Sequence, residues 1–465
     1  MRIYGIVLAA GQGKRMKSKL YKVLHPVCGK PMVGHVVDLL DRLACEKRIV
    51  VVGHGAEKVK AYLGDRTDYA LQEQQLGTGH AVLQAKDLLA SEEGLTFVLY
   101  GDTPLIREES LREMIRLVEQ ESAAGAVLTA EMDVPFGYGR ILRDGEGNLA
   151  GIVEEKDCTP EQAAIREINT GIYCFDNRKL FAALAQVTNE NAQREYYLTD
   201  VIAILRGAGE ALLAYKTPDW TEAIGVNDRV ALSEAEAVMK QRINRMHMLN
   251  GVSIQDPSST YIEADVVIGS DTRLLPGTLL RGATVIGEDC VIGPNADITD
   301  SRVENGATVK HSVLLEAEVG SEAAVGPFAY LRPGAKLGEK VKVGDFVEIK
   351  NATLGAGSKV SHLSYVGDAV VGKNVNMGCG SITVNYDGFN KHKTEIGDDA
   401  FVGSNVNLVA PVTIGKGAFV VAGSTITRDV EEDALAVARE RQVNKPGYAA
   451  KLRGRLKNRK KDEDE

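Results

Sequence analysis

The sequence predicts an α/β protein in two parts: a Rossmann-like domain, then a connecting helix and a parallel β-helix. Three observations predict this architecture. Short apolar runs alternate with amphipathic helical stretches through the first half; a helical periodicity follows over Asp228–Asn250; and beyond it aliphatic residues recur every six positions. At 465 residues the chain is also about three times the ~150-residue prior for one domain. The expected boundaries are 1–228, 229–250 and 251–465.

The first apolar run, Ile3–Ala10, enters the glycine turn Gly11-Gln12-Gly13-Lys14-Arg15. Ile49–Val52, Thr96–Tyr100 and Ala126–Ala130 repeat the strand signal, with helical stretches such as Ser110–Gln120 between them. Strands separated by helices imply βαβ units and a mainly parallel sheet that binds ligands at its strand carboxyl ends. Leu232, Ala235, Met239, Ile243, Met246 and Leu249 then fall at helical spacing, and Gly251 stops the helix.

The period of six is carried by three series. Ile268, Leu274, Leu280, Ile286, Ile292 and Ile298 form the first; Val319, Val325, Leu331, Leu337, Val343 and Ile349 the second; Ile396, Val402, Leu408, Ile414, Val420 and Ile426 the third. Each hexad supplies one short strand, and the stacked aliphatics fill a prism. Glycine beside several of these residues, as in Ile286-Gly287 and Val402-Gly403, suits corners. Asn376–Lys393 breaks the period and is expected to project as a loop. Lys451–Glu465, a basic run ending in acidic residues, is expected to be a solvated tail.

Composition narrows the function classes. Hydrophobic residues at 44% and charged residues at 26% are ordinary for a soluble globular protein. A net charge of -9 argues against nucleic acid as a partner. Cys28, Cys45, Cys158, Cys174, Cys290 and Cys379 show neither C-x-x-C pairs nor the spacing of a disulfide framework, so they read as reduced thiols without a zinc site. The first apolar run is too short, and too charged at its end, for a signal peptide. No run is long enough to span a bilayer, so a cytoplasmic protein without a membrane partner is expected.

The glycine turn places Lys14, Arg15 and nearby Lys22 where backbone N–H groups and cations can meet phosphates. Alone it is equally an ordinary βα turn, because it has neither Walker nor dinucleotide spacing. Asp102, in Tyr100-Gly101-Asp102-Thr103-Pro104, follows a strand and should sit at the sheet's carboxyl edge. There it is either a turn residue or a ligand for Mg²⁺ bridging substrate phosphates. Asn227 either caps the connecting helix or adds a neutral oxygen to that metal site.

Leu8-Ala9-Ala10-Gly11 through Lys22, Gln72, Gln75-Leu76-Gly77-Thr78-Gly79-His80-Ala81, Gly101-Asp102, Gly137-Tyr138-Gly139-Arg140, Glu154, Asn169-Thr170-Gly171 and Asn227 resemble sugar-phosphate uridylyltransferase motifs. The family is the bifunctional N-acetylglucosamine-1-phosphate uridyltransferase / glucosamine-1-phosphate acetyltransferases, and the resemblance spans the chain. It implies that Leu8, Ala9, Ala10, Gly11, Gln72, Gly77 and Thr78 hold the uridine nucleotide, and that Arg15 and Lys22 neutralise its triphosphate as catalytic cations. It implies that Gly139, Glu154 and Asn169 grip the amino sugar and its ribose side, and that Asp102 and Asn227 bind Mg²⁺. The reaction it implies is in-line attack of N-acetylglucosamine-1-phosphate on UTP, without a covalent enzyme intermediate.

Acetyl transfer to an amine needs a base, and cations for the sugar phosphate. Arg332, Lys350, His362 and Tyr365 lie on neighbouring repeats, and Arg332 and Lys350 stack if three hexads make one coil. The resemblance implies that His362 is the general base and that Arg332, Lys350, Tyr365 and Asn376 hold glucosamine-1-phosphate. It assigns Asn385, Tyr386, Ser404, Ala422 and Arg439 to acetyl-coenzyme A, and no role to Cys379. It further implies a left-handed β-helix, a homotrimer, and a product used for peptidoglycan, cell-wall and lipopolysaccharide-type polymers.

Three other readings use the same repeats. A sugar nucleotidyltransferase with a purely regulatory β-helix is opposed by His362 and its cations. A β-helix carbonic anhydrase is opposed by the spacing of His311, His362 and His392, and a non-catalytic scaffold would use the repeats for assembly alone.

Overall fold

The computed structural model describes residues 1–462 and divides into two compact units. One comprises Met1–Asn250 with Tyr261–Val266 and Leu280–Gly282; the other comprises Gly251–Thr260, Val267–Leu279 and the chain from Ala283 onward.

The first unit is built on a nine-stranded sheet. Its strands are β1 (Ile3–Ala9), β2 (Lys47–Val52), β3 (Asp68–Leu71), β4 (Leu95–Tyr100), β5 (Gly125–Glu131), β6 (Arg140–Arg143), β7 (Leu149–Val153), β8 (Glu167–Asp176) and β9 (Leu212–Lys216). The order is β9-β5-β8-β4-β1-β2-β3, with β6 joined to β8 and β7 to β6. β1 lies between parallel β2 and β4, whereas β8 runs antiparallel to β4 and β5. Tyr4, Ile6 and Leu8 enter the core on one face of the sheet, and Val7 and Ala9 enter the core on the other. Burial on both faces is why β1 reads as a continuous apolar run rather than an alternating one.

Helix α1 (Met32–Arg42) and helix α2 (Glu108–Gln120) cover the second face; α2 contributes Leu111, Met114 and Val118. Helix α3 spans Arg229–Leu249 and is capped by Asp228, whose Oδ1 accepts from the backbone N–H groups of Val230 at 2.9 Å and Ala231 at 3.0 Å. The cap is therefore Asp228, which releases Asn227 from that role. Ala235 and Ile243 are buried as the periodicity predicts, but Met246 and Leu249 are exposed. Asn244 and His247 take the buried positions at that end of α3.

Three parallel stacks of 11, 10 and 9 short strands form the left-handed β-helix of hexapeptide repeats. All the aliphatics of the three six-residue series are buried. Each full burial is worth about 1.5–3 kcal/mol, so the period is the core itself. A second inward position lies two residues earlier in the hexad and takes small side chains, as at Thr272, Thr278, Thr284, Cys290 and Ala296. That position gives Cys290 a packing role. Corners are turned in the left-handed backbone region by residues such as Asp271, Asp289, Asn295 and Asp300, which suits short polar side chains.

The projecting loop is shorter than expected. Asn376 still pairs with Lys359, and Ile382 with Tyr365, so the coil continues as far as Val384. Met377, Ser381 and Thr383 occupy the buried positions there, which hides the repeat from an aliphatic pattern. Only the segment from Asn385 to Lys393 is extruded, closed by a bridge between Tyr386 and Lys391. The tail forms a helix over Tyr448–Asp462 whose described side chains are exposed; Glu463, Asp464 and Glu465 lie outside the described residues. No helix among the described residues is long and apolar enough to cross a membrane.

Candidate functional site

Two clusters of polar groups correspond to the two sets of predicted residues, one in each unit. In the first unit a cleft of about 250 Å³ opens at the carboxyl edge of the sheet. Leu8, Ala9, Ala10, Gly11, Lys22, Gln72, Gly77, Thr78 and Asp102 all line it, together with Tyr100 and Glu195. Register explains the convergence: Leu8 pairs with Tyr100, so the turns after β1 and β4 emerge side by side. A Cβ at Gly11 would meet no protein atom within 4 Å, which leaves open space over that turn. Gly77 has φ +115 and its Cβ would lie 2.6 Å from the Tyr196 carbonyl, so only glycine fits there.

At one end of the cleft the Lys22 ammonium bonds the Asp102 carboxylate and lies 3.2 Å from Asn227 Oδ1. The backbone N–H of Val226 donates to the Asp102 carbonyl at 2.9 Å and so holds Asn227 beside Asp102. Two oxygens from distant segments therefore converge on one cation, the Lys22 ammonium. The oxygen chemistry fits a hard divalent ion that retains water and takes further ligands from substrate phosphates. Among the described residues no group of three or more His, Cys, Asp or Glu side chains could hold a metal, so any ion here depends on this carboxylate–amide pair. Tyr21, whose hydroxyl donates to the Ala9 carbonyl at 2.6 Å, is pushed up to about 12 by burial and by Asp102.

The remaining predicted residues of this unit do not line the cleft. Arg15 is exposed on the short helical turn Lys14–Met16. The Gly139 carbonyl accepts from the Asn169 backbone N–H at 2.9 Å. The Asn169 side chain donates to the Tyr173 hydroxyl at 2.7 Å and accepts from the Gly171 N–H at 3.0 Å, so it also braces the irregular middle of β8. Glu154 accepts from Thr199 Oγ1 at 3.2 Å, and burial raises its carboxyl above the usual range despite that bond.

In the β-helix, Leu331 pairs with Ile349, which stacks Arg332 on Lys350 as the spacing predicts. Their head groups part, however. Arg332 Nη1 donates to Glu348 Oε1 at 2.7 Å, while Lys350 interacts with Lys391, from the extruded loop. The Lys350 ammonium holds the Lys391 ammonium below the ordinary lysine range. Asp368 accepts from Asn351 at 2.7 Å and from Asn385, whose amide also reaches Tyr365 Oη at 3.4 Å. His362 Nδ1 lies 2.6 Å from Asp345 Oδ1. Lys391, Asp368 and Asp345 were not among the residues picked out by sequence. Asp345 alone had an accessible signal, since it lies one coil before His362.

Asn376 pairs with Phe401 on the following coil. Ser404 and Ala422 follow Phe401 and Phe419, which pair in register, and the Ser404 carbonyl accepts from the Gly423 N–H at 2.8 Å. Arg439 lies over Gly423, so Ser404, Ala422 and Arg439 mark successive coils on the exposed surface. Tyr386 stands at the base of the extruded loop.

Comparisons with known proteins agree with this two-site layout. Residues 5–201 match the MobA-like NTP transferase domain, and residues 265–299 and 393–428 match the bacterial transferase hexapeptide (six repeats). The chain is 59% identical to a bifunctional protein GlmU of Geobacillus sp. (strain WCH70), over 97% of this chain and 98% of that protein. It is 59% identical to one of Brevibacillus brevis, with 97% and 98% covered, and 56% identical to one of Geobacillus thermodenitrificans, with 98% and 99% covered. With a nucleotidyltransferase cleft in one unit, a hexapeptide β-helix in the other and near-complete alignment to these relatives, the chain belongs to the family of bifunctional GlmU proteins.

Proposed function

We propose that the cleft of the first unit transfers UMP from UTP to N-acetylglucosamine-1-phosphate, and that the β-helix makes that sugar phosphate. The chain is a bifunctional transferase of UDP-N-acetylglucosamine synthesis, with a nucleotidyltransferase and an acetyltransferase activity. The observation that carries the assignment of the first site is the convergence of Leu8–Gly11, Lys22, Gln72, Gly77, Thr78 and Asp102 on one cleft.

In the uridylyl transfer, the turn over Leu8–Gly11 with Gln72, Gly77 and Thr78 holds the nucleotide. Gly139, Glu154 and Asn169 orient the sugar. A phosphate oxygen of N-acetylglucosamine-1-phosphate attacks the α-phosphorus, the bond to the β-phosphate bridging oxygen breaks, and pyrophosphate leaves. Arg15 and Lys22 neutralise the triphosphate, so positioning and charge supply the catalysis. Asp102 and Asn227 would hold a divalent metal, which we take to be Mg²⁺, and it would supply neutralisation of the phosphate charge.

In the acetyl transfer, Arg332, Lys350, Tyr365 and Asn376 hold glucosamine-1-phosphate. Lys391 joins them because its ammonium stands beside that of Lys350. The amine attacks the thioester carbonyl, His362 takes its proton, and coenzyme A leaves as the thiol. Asn385, Tyr386, Ser404, Ala422 and Arg439 carry acetyl-coenzyme A. A cytoplasmic homotrimer is the matching assembly, since neighbouring prisms would wall a groove that one flat-faced prism does not offer. The product then supplies peptidoglycan and related wall polymers.

The test is a pair of assays on the purified chain: thiol release from acetyl-coenzyme A with glucosamine-1-phosphate, and pyrophosphate release from UTP with N-acetylglucosamine-1-phosphate. Both are expected. Absence of thiol release from a folded protein would leave the β-helix a regulatory or scaffolding element.

A further inference from the structure

We infer that Asp345 is a positioning residue for His362, holding the imidazole in the tautomer whose Nε2 lone pair can accept the substrate amine's proton. This rests on the proposed acetyltransferase site, and it adds a residue that the family motifs did not supply.

The β-helix itself creates the pair. Lys342 faces Lys359, Val343 faces Val360 and Asp345 faces His362 in one parallel, in-register ladder. Adjacent strands in such a ladder lie about 4.8 Å apart, so equivalent side chains leave the coil as neighbours. Each of the two residues precedes a corner residue in the left-handed region, Phe346 at φ 55 and Leu363 at φ 48. The two chains therefore turn the same corner at the same place, and both side chains start from matched backbone.

The corner is also tied down. The Leu363 N–H donates to the Asp345 carbonyl at 3.0 Å, and Ser364 Oγ donates to the His362 carbonyl at 2.8 Å. With the backbone held, the 2.6 Å separation between His362 Nδ1 and Asp345 Oδ1 follows from register rather than from two long side chains meeting by chance. Neither side chain is long enough to wander far from this arrangement.

The chemistry follows from which atom is used. A carboxylate is only an acceptor, so Nδ1 carries the proton and Nε2 is left with its lone pair. As Nε2 takes a proton from the attacking amine, the ring becomes a cation beside the carboxylate, which stabilises the charge at the moment it forms. The bond to His362 also holds the Asp345 carboxyl below the usual range, so the partner is ionised when the base acts. The side chains are 58% and 36% exposed, so as a plain ion pair the contact would contribute little to stability. A conserved fold with altered chemistry is what distinguishes positioning from packing here.

The experiment uses the full chain with Asp345→Asn, Asp345→Ala, Asp345→Glu and His362→Ala. For Asp345→Ala, kcat for thiol release should fall roughly 10- to 100-fold, the loss typical of removing an outer-shell carboxylate that orients a metal-bound histidine. That is less than the loss from His362→Ala. KM for glucosamine-1-phosphate should stay within about 2-fold, because a residue that acts through His362 does not change uniform substrate binding. Asp345→Asn should behave like Asp345→Ala, and Asp345→Glu should recover part of the rate. Nitrogen-15 NMR of histidine-labelled protein, with His362 assigned by its loss in His362→Ala, should show Nδ1–H in the wild type and a shift toward Nε2–H in Asp345→Ala. Wild-type kcat with an unchanged tautomer in Asp345→Ala overturns the inference while leaving the site intact. A raised KM with unchanged kcat overturns it too, by making Asp345 a substrate contact. Full activity in His362→Ala is a separate failure, that of the acetyltransferase assignment.

Discussion

Replacing Asp102 with alanine separates the two sites most sharply. The Lys22 and Asp102 side chains are 15% and 11% exposed, so their contact is closer to a buried ion pair than to a surface one. Removing one partner of a buried pair costs about 3–5 kcal/mol. Here the Lys22 ammonium retains Asn227 Oδ1 at 3.2 Å and some access to water, which brings the expected cost to about 2–3 kcal/mol. Against a typical stability of about 5–15 kcal/mol the unit stays folded. At about 2–4 °C per kcal/mol for a unit of this size, its melting transition should drop by roughly 4–12 °C.

The catalytic loss should be larger than the stability loss. If the carboxylate's contribution to neutralising the transferring phosphates is about 4 kcal/mol, pyrophosphate release falls about 10³-fold, at 1.36 kcal/mol per tenfold change. Asp102→Asn keeps the shape and one carbonyl oxygen, so it should destabilise less while losing comparable activity. Thiol release should stay within about 2-fold of wild type in both variants, because no group of the β-helix cluster depends on Asp102. Titration calorimetry with Mg²⁺ and UTP should show weakened binding. Near-normal pyrophosphate release in Asp102→Ala would refute the metal assignment, and loss of both activities in a protein with native circular dichroism would refute two independent sites.

Other consequences follow from the same geometry. His362→Ala should lower thiol release roughly 10²–10⁴-fold and leave pyrophosphate release unchanged, as expected for removal of a general base; a normal rate at neutral pH would rule His362 out. Because burial raises the Glu154 carboxyl above its unfolded value, its contribution to stability is full below the unfolded value near 4.5 and is lost as pH rises through the raised folded value. Glu154→Gln should therefore stabilise the first unit at pH 7.5 more than at pH 4 while weakening pyrophosphate release, read by melting curves at the two pH values. A fragment ending at Asn250 should retain uridylyl transfer and be more stable than one ending at residue 240, because Arg242 donates to the Leu105 carbonyl at 2.5 Å and to Asp219 Oδ2 at 3.0 Å. The complementary β-helix fragment should run as a trimer by light scattering and acetylate glucosamine-1-phosphate; a fully active monomer would refute the shared groove.

What could be read from sequence was whatever repeats in a single environment. Every six-residue aliphatic meets the same interior, so Ile268 through Ile426 announce themselves, and β1, β2 and β4 do so because both sheet faces are apolar. Strand direction leaves no such trace: β8, buried along most of its length, reads alike whether parallel or antiparallel. Nor do small inward residues stand out, since the hydroxyls of Ser381 and Thr383 look like loop chemistry until the coil's own carbonyls are seen to accept from them. The loop was overextended for this reason. Site chemistry is decided at a different level. Lys22 was expected on phosphates, and its ammonium bonds the Asp102 carboxylate. Arg332 and Lys350 were correctly stacked, yet Glu348 on the same ladder claims the guanidinium and the loop supplies Lys391. Asp345 is one acidic residue among many, and only counting back one coil from His362 singles it out. In a solenoid, periodicity identifies the stack, but the register of each coil decides which polar side chains meet, and insertions such as Asn385–Lys393 can bring in groups that no repeat arithmetic anticipates.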